Sequence, residues 1–338
     1  MRILVDVMSG DLPPEELVRG GVTAGREAGI EIGFVGTPDV IRTALSQVHE
    51  REGGRFFIVP ASQVIRMDDP PVRAVREKRD SSLIKGLTSL KHGEGDAFVT
   101  PGNTGAAVAG AIFTLGRIHG VPRPGIAATL PTLSDREILI IDVGATVDCA
   151  PPHLLHFGLM GGSYARDVMG ISTPRIGLLN IGVEKTKGNK LTQRTFSLLE
   201  GSPLPFVGNV EGHDLLTDPG VDVVVCDGFV GNVFLKALEG GINAVTSFLR
   251  NGIRSGGPRE KLGGLLLQPV FAALRERLSY ERHGGAPLLG VNGVVVIGHG
   301  RSDAAAIAGA INAARRAVAA RLNERIAQGM KGWGNIGS

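Results

Sequence analysis

Short β-branched runs alternate with longer amphipathic stretches along this chain: Ile3-Leu4-Val5, then Pro13 to Ala28, Ile32 to Val35, Val40 to Val48 and Phe56 to Val59. That alternation marks βα units and predicts an α/β fold on a largely parallel sheet. It continues through Ile138 to Ile141, Arg175 to Leu179 and Val221 to Val225, apolar runs of the kind found in buried central strands. Each run ends in a turn rich in Gly, Asn or Asp. Ligands of doubly wound sheets bind beyond the carboxyl ends of strands, so chemistry is expected in these turns.

The length of 338 residues allows one large unit or two lobes. With 43% hydrophobic and 20% charged residues, 50 Gly and 19 Pro, the chain can bury a core and needs many tight turns, which excludes a disordered protein. The 36 Lys and Arg nearly balance 33 Asp and Glu, leaving a net charge of +3 and no long basic run. That argues against nucleic acid as the main partner, while suiting phosphate or an acidic protein surface if the basic residues cluster in space. Two cysteines, Cys149 and Cys226, are too few for a disulfide framework, and a reducing cytoplasm is the expected location. A strand-like pattern starts at once from Met1, without the basic and apolar regions of a leader. No apolar window approaches the ~18 to 20 residues of a spanning helix.

One segment departs from the βα rhythm. From Asn251 to Tyr280 a loop with Gly252, Gly256, Gly257 and Pro258 leads into Leu262 to Leu267, Val270, Phe271, Leu274 and Leu278, set among Arg275, Glu276 and Arg277. It reads as a helical excursion, packed either on its own protein or dimer mate, or serving as a membrane-surface tip. The expected organisation is one catalytic unit over residues 1–325, with the excursion at about 251–280, and a flexible tail over 326–338.

Several turns could carry chemistry. Gly102-Asn103-Thr104-Gly105 follows Ala97-Phe98-Val99 and opens a helical pattern, so its backbone N–H groups and the helix dipole could bind an anion such as phosphate; Asn-Thr-Gly is equally an ordinary cap. Asp142-Val143-Gly144-Ala145 and Asn180-Ile181-Gly182 close the next two runs, and Lys185 and Lys187 follow in a Gly-bearing loop from which a cation could reach a ligand. Gly208-Asn209-Val210-Glu211-Gly212 and Asp227-Gly228-Phe229-Val230-Gly231-Asn232 form two more polar turns, the second opening a long helix. Glycine allows close backbone approach to a ligand and Asn offers donor and acceptor without charge, which suits an oxyanion or phosphate. His299, in Gly298-His299-Gly300, could polarise a phosphate or thioester oxygen or be structural. Neither a G-x-G-x-x-G after an early strand nor a P-loop occurs, and there is no G-x-S-x-G elbow. Cys149, His153 and His156 are close in sequence, but Pro151 and Pro152 interrupt them and no fourth ligand is evident, so no metal is expected.

Taken in order, these segments resemble the acyl-acyl carrier protein:phosphate acyltransferases, the PlsX family, from Met1 to about Arg321. The residues that carry the resemblance are Val5 to Asp11, Lys78 to Ser82, Gly102 to Ala106, Asp142 to Ala145, Asn180 to Gly182, Lys187 to Asn189, Gly208 to Gly212, Cys226 to Phe229, Gly231 to Val233 and Gly284 to Gly290. The resemblance implies a three-layer α/β/α fold like isocitrate and isopropylmalate dehydrogenases and phosphotransacetylase, a homodimer, and no metal or nucleotide cofactor. It implies transfer of a fatty acyl group from acyl-acyl carrier protein to inorganic phosphate, making acyl phosphate for phospholipid synthesis at a membrane surface. It also implies Lys187 and Asn232 as the catalytic pair. The phosphate and substrate set is then Gly102, Asn103, Thr104, Gly105, Asn180, Gly182, Asn209, Asp227, Gly231 and His299. The chain departs from the family pattern at Ser9 and Leu12, where Gly and His are usual, at Thr100-Pro101, at Val183 and at His283. The expected mechanism is direct: phosphate, held near Asn103-Thr104 and by Lys187, attacks the thioester carbonyl while Asn232 meets the oxyanion. The rivals are a coenzyme A-dependent phosphate acyltransferase, a dehydrogenase on the same fold, and a non-catalytic scaffold that binds the carrier protein.

Overall fold

A computed structural model describes residues 1–134, 136–217, 220–271 and 284–331. The chain begins with β1 (Arg2–Asp6), α1 (Pro14–Ala28), β2 (Glu31–Gly36), α2 (Pro38–Gln47) and β3 (Phe56–Pro60). Next come α3 (Pro71–Glu77), α4 (Ser82–Lys91), β4 (Ala97–Thr100), α5 (Thr104–Thr114), β5 (Gly125–Pro131) and β6 (Glu137–Ile141). The second half continues with α6 (Pro151–Asp167), β7 (Ile176–Asn180), α7 (Lys190–Glu200), β8 (Phe206–Glu211), β9 (Val223–Val225), α8 (Gly228–Ser255) and α9 (Pro258–Leu266). It closes with β10 (Ala286–Leu289), β11 (Val294–Ile297), α10 (Ala304–Ala319) and α11 (Leu322–Lys331).

The strands form one sheet in the order β3-β2-β1-β4-β11-β10-β5-β6-β9-β7-β8. Strand alternation sends neighbouring residues to opposite faces. Leu4, Phe98, Ile138 and Ile140 face a core closed by α3, α4, α5 and the start of α8. Ile3, Val5 and Val99 face the opposite layer under α1, α2 and α10, and Leu139 and Ile141 face its continuation under α6, α7 and α11. This is the expected three-layer α/β/α arrangement.

Pairing is parallel except at β11–β10, β10–β5 and β5–β6. Three reversals in a row invert the second half of the sheet. The carboxyl ends of β1, β4 and β11 therefore lie on one edge, and those of β6, β9, β7 and β8 on the other. The sites below follow from this division.

Three expectations change. Gly208 to Glu211 is not a turn but the last four of the six residues of β8, which pairs with β7 across a register shift, with Gly208 at φ +110°. Asn209 is consequently buried inside a strand. The excursion does not begin with a loop at Asn251, because α8 runs unbroken to Ser255 through Gly252 and turns at Gly256-Gly257 into α9. An internal Gly costs a helix about 1 kcal/mol relative to Ala, which the other residues of this 28-residue helix outweigh. The end of the excursion, residues 272–283, lies outside the described residues. Finally, α11 carries the fold past residue 325 to Lys331, since Ile326 and Met330 are buried against α6 and its neighbours; the rest of the expected tail lies outside the described residues.

Candidate functional site

At the carboxyl edge of β6 and β9, Asp142 organises the backbone. Its carboxylate is fully buried and accepts N–H groups from Ile126, Gly144 and Ala145 at 2.9 Å each, and from Thr146 at 2.6 Å. Burial pushes this carboxyl up, and those four bonds pull the other way by favouring the charged form. Thr146 anchors the same turn through Pro124 (3.0 Å) and accepts the Gly228 N–H (2.9 Å), which brings the start of α8 onto it. The approach demands small residues. A Cβ on Gly228 would lie 2.6 Å from Asp142 Oδ2, and one on Gly231 would overlap the Asp142 carbonyl oxygen.

Asp227 is the cap of α8, accepting the N–H groups of Phe229 (3.1 Å) and Val230 (2.9 Å). It and Gly231 are thus occupied in building the turn rather than offered to a ligand. What they place is Asn232, exposed on the first turn of α8, with its side-chain amide carbon 3.7 Å from where a Cβ on Gly144 would stand.

The Lys187 loop, beyond β7 on the same edge, is pinned from several sides. Asn180 accepts the Ile181 N–H (2.9 Å) and donates to the Lys187 carbonyl (3.2 Å), while Gln193 donates to the Thr186 carbonyl (2.7 Å). From β8, Asn209 donates to the Glu184 carbonyl at 2.9 Å. Gly182 admits the stem of Lys187, and Gly188 adopts φ +90° against the Asn180 side chain. Asn180, Gly182 and Asn209 therefore shape the loop. The two lysines separate clearly: Lys185 is ion-paired to Glu200 at 2.6 Å and lies over the Phe196 ring, whereas the exposed Lys187 ammonium has no carboxylate partner among the described residues.

On the opposite edge, Asn103 caps α5 by accepting the Ala106 N–H (3.0 Å) and ties down the preceding loop by donating to the carbonyls of Met67 (3.0 Å) and Asp69 (3.1 Å). Its side chain is committed to the fold. Gly102 donates to Thr100 Oγ1 (3.2 Å) and is buried, while Thr104 and Gly105 are exposed and their N–H groups have no partner among the described residues. The Nδ1 of His299 accepts the Arg301 N–H (3.1 Å). Asp6, beneath this turn, holds the N–H groups of Met8 and Ser9 and the hydroxyl of Thr100, and burial pushes its carboxyl up. No hydrogen bond or ion pair among the described residues joins this cluster to Lys187 or Asn232. The sequence placed all of them at strand ends, and the sheet's reversals divide them between two edges.

The thiols are unsuited to attack. Cys149 is pushed up to about 12 by burial and by the nearby Asp142 charge, and fully buried Cys226 is pushed up by the same causes. At pH 7.5 less than about 10⁻⁴ of Cys149 would be thiolate, so native protein should react with iodoacetamide on the order of 10³-fold more slowly than free cysteine. Rapid labelling of folded protein by mass spectrometry would contradict this. His153 and His156 engage backbone at Ala150 and Pro152 instead of converging with Cys149. At the end of β8, Glu211, His213 and Asp214 bring ligand-type atoms within 4.8 Å of one another, with His213 exposed and its Nε2 3.3 Å from Asp214 Oδ1.

Residues 1–325 match the family described as Fatty acid synthesis protein. The chain is 44% identical over 326 residues to a phosphate acyltransferase of Desulfitobacterium hafniense, covering 96% of each chain. It is 46% identical over 331 residues to a phosphate acyltransferase of Desulforudis audaxviator, covering 98% of this chain and 96% of that one. The chain belongs to the phosphate acyltransferase family. Solved structures share its fold at low identity: a phosphotransacetylase from Streptococcus pyogenes (TM-score 0.61, 15% identity, 93% and 94% of the two chains) and a branched-chain phosphotransacylase from Enterococcus faecalis (TM-score 0.59, 14% identity, 94% and 99%). Within this phosphate acyltransferase architecture, sequence reasoning missed the buried support of Asp142 and Thr146 and the exposed brace of Gln193 on the Lys187 loop. Only the Asp-Val-Gly-Ala run hinted at it, and a run of residues does not reveal that four amides converge on one carboxylate.

Proposed function

We propose that the chain transfers a fatty acyl group from acyl-acyl carrier protein to inorganic phosphate, releasing the carrier thiol and acyl phosphate for phospholipid synthesis. Family membership supports acyl transfer to phosphate. The observation that carries the site is that the Lys187 ammonium, without a carboxylate partner among the described residues, and the exposed Asn232 amide lie on one sheet edge, while both thiols are suppressed. Phosphate, substantially dianionic at neutral pH, forms the new C–O bond while Lys187 balances its charge. Asn232 donates to the carbonyl oxygen as the tetrahedral intermediate forms. Its collapse breaks the C–S bond, and the thiolate leaves to be protonated by solvent. No enzyme nucleophile is needed, so positioning and charge stabilisation supply the rate. This assigns the reacting phosphate to Lys187 alone and drops its joint hold by the Asn103-Thr104 turn, which lies on the other edge.

The α8–α9 hairpin supports two further elements of the proposal, a homodimer and attachment to a membrane surface. No helix among the described residues is long and apolar enough to span a membrane. The hairpin nevertheless exposes Phe248, Leu262, Leu265 and Leu266 beside Arg250, Arg254, Arg259 and Lys261. Such a face suits an anionic lipid surface or a second copy of the chain.

The test is incubation of purified protein with palmitoyl-acyl carrier protein and labelled phosphate, trapping the product with hydroxylamine. A phosphate-dependent hydroxamate is expected. Its absence, with carrier protein still bound, would replace the enzyme by the scaffold reading; formation from palmitoyl-coenzyme A alone would replace the donor.

A further inference from the structure

A net charge of +3 says little until its placement is known. Between Arg66 and Lys85 six basic residues meet four acidic ones, and most of them neutralise one another: Lys78 pairs with Asp69, Arg73 with Glu77 at 2.8 Å and Lys85 with Asp80 at 3.5 Å. Among the described residues Arg66, Arg76 and Arg79 are exposed and in no ion pair, although the Arg66 charge helps to lower Asp69, and Asp68 is the one acid of this stretch outside a pair.

These arginines rim an apolar strip along α3 and α5. Met67 is 43% exposed, Val72 48% and Phe113 55%, and the Arg76 guanidinium lies 5.6 Å from the centre of the Phe113 ring. Pro71 packs beside Gly105 at the start of α5 and Arg76 beside Phe113 near its end, so the strip follows the helix for its whole length. The partnerless N–H groups of Thr104 and Gly105 add the positive end of the α5 dipole at one end. Since α5 follows β4 and returns along the sheet, the Phe113 end points toward the edge that holds Lys187 and Asn232.

We propose that this α3–α5 ridge is the docking surface for an acidic carrier protein. The inference rests on the donor assigned above and adds where that donor binds. An apolar centre rimmed by unpaired arginines matches a negatively charged helical surface with its own apolar contacts, and Arg is favoured over Lys where planar stacking and carboxylate recognition coincide. Docking here places the carrier beside the sheet. A thioester on a flexible arm can then reach the reacting edge without moving the folded carrier into it. The α8–α9 hairpin carries more positive charge, but its broad apolar face is the better match for lipid.

The experiment compares wild type with the triple variant Arg66→Glu, Arg76→Glu, Arg79→Glu in steady-state assays of palmitoyl-acyl carrier protein, palmitoyl-coenzyme A and phosphate. KM for the carrier-bound donor should rise at least about tenfold and lose its salt dependence, with kcat and the KM for phosphate unchanged. Any turnover with palmitoyl-coenzyme A should be unaffected, and an unchanged Tm confirms folding. Phe113→Ser tests the apolar centre and should raise the same KM without changing salt dependence. An unchanged KM for palmitoyl-acyl carrier protein overturns the inference and leaves the donor assignment intact, whereas a wild type that uses only palmitoyl-coenzyme A removes both. Loss of sedimentation with phosphatidylglycerol vesicles in the triple variant, with the carrier KM unchanged, would give the ridge to lipid instead.

Discussion

Asn232→Ala is expected to lower kcat by about 10²–10³-fold, the usual consequence of removing one oxyanion donor, with little change in the KM for phosphate. The side chain is well placed for such a deletion. It is exposed, its side chain makes no hydrogen bond among the described residues, and it sits on a turn whose geometry is fixed by Asp227 and the glycines rather than by Asn232 itself. Its removal should therefore leave the fold unchanged and act on the transition state alone. Lys187→Ala is expected to raise the KM for phosphate as well as lower kcat, because a charge that holds the nucleophile is felt in ground and transition states alike. Lys185→Ala is the internal control: its ammonium is already held by Glu200, so phosphate kinetics should stay near those of wild type. Hydroxamate trapping across a phosphate series reads all three. Near-normal turnover in Asn232→Ala and Lys187→Ala would remove the reacting edge from this position.

The contrast between the lysines shows where sequence reading stops. The alternating pattern identifies the strands β1, β2, β3, β4, β6, β7 and β9 and the polar turns that follow them, because β-branched runs and amphipathic spacing are local properties. It passed over β5, rich in Ala, and β10, only four residues long with Pro287 inside it and Gly285 and Gly290 at its ends at positive φ. Those two strands make the three antiparallel pairings, so overlooking them hid the inversion of the sheet. Turns that were equivalent as strand ends thereby fell on different edges. Asn103, Asn209 and Asp227 were legible as polar groups at turns, but a polar group that binds a ligand and one that satisfies buried backbone look alike in sequence. Only their partners tell them apart: the 66–69 loop, the Glu184 carbonyl and the first turn of α8. In the sequence only family resemblance favours Lys187 over Lys185; physically the choice follows from Glu200 and Phe196, more than ten residues downstream on α7.

Glycine poses the same ambiguity with the opposite outcome, and Gly231 gives the sharpest test of how the reacting edge is held. The sequence admits Gly231 as a place where a ligand approaches the backbone. The structure puts protein there: an added Cβ would overlap the Asp142 carbonyl oxygen and stand 2.8 Å from Cys226 Sγ. Neither neighbour can move cheaply, since the Asp142 backbone is paired with Cys226 and its side chain is bound by four amides. Gly231→Ala should therefore displace the first turn of α8, destabilise the protein by about 1–3 kcal/mol through overpacking, and misplace Asn232 enough to cost at least about tenfold in kcat. Gly240→Ala, on the same helix with nothing within 4 Å of its added Cβ, should be neutral or stabilising by up to about 1 kcal/mol. Cys226→Ala should not rescue Gly231→Ala, because the carbonyl remains the nearer obstacle. Urea denaturation and phosphate-dependent turnover of these variants separate the possibilities. If Gly231→Ala keeps wild-type stability and loses only affinity for phosphate, the glycine faces a ligand; if stability and kcat fall together, its role is to seat α8 against Asp142.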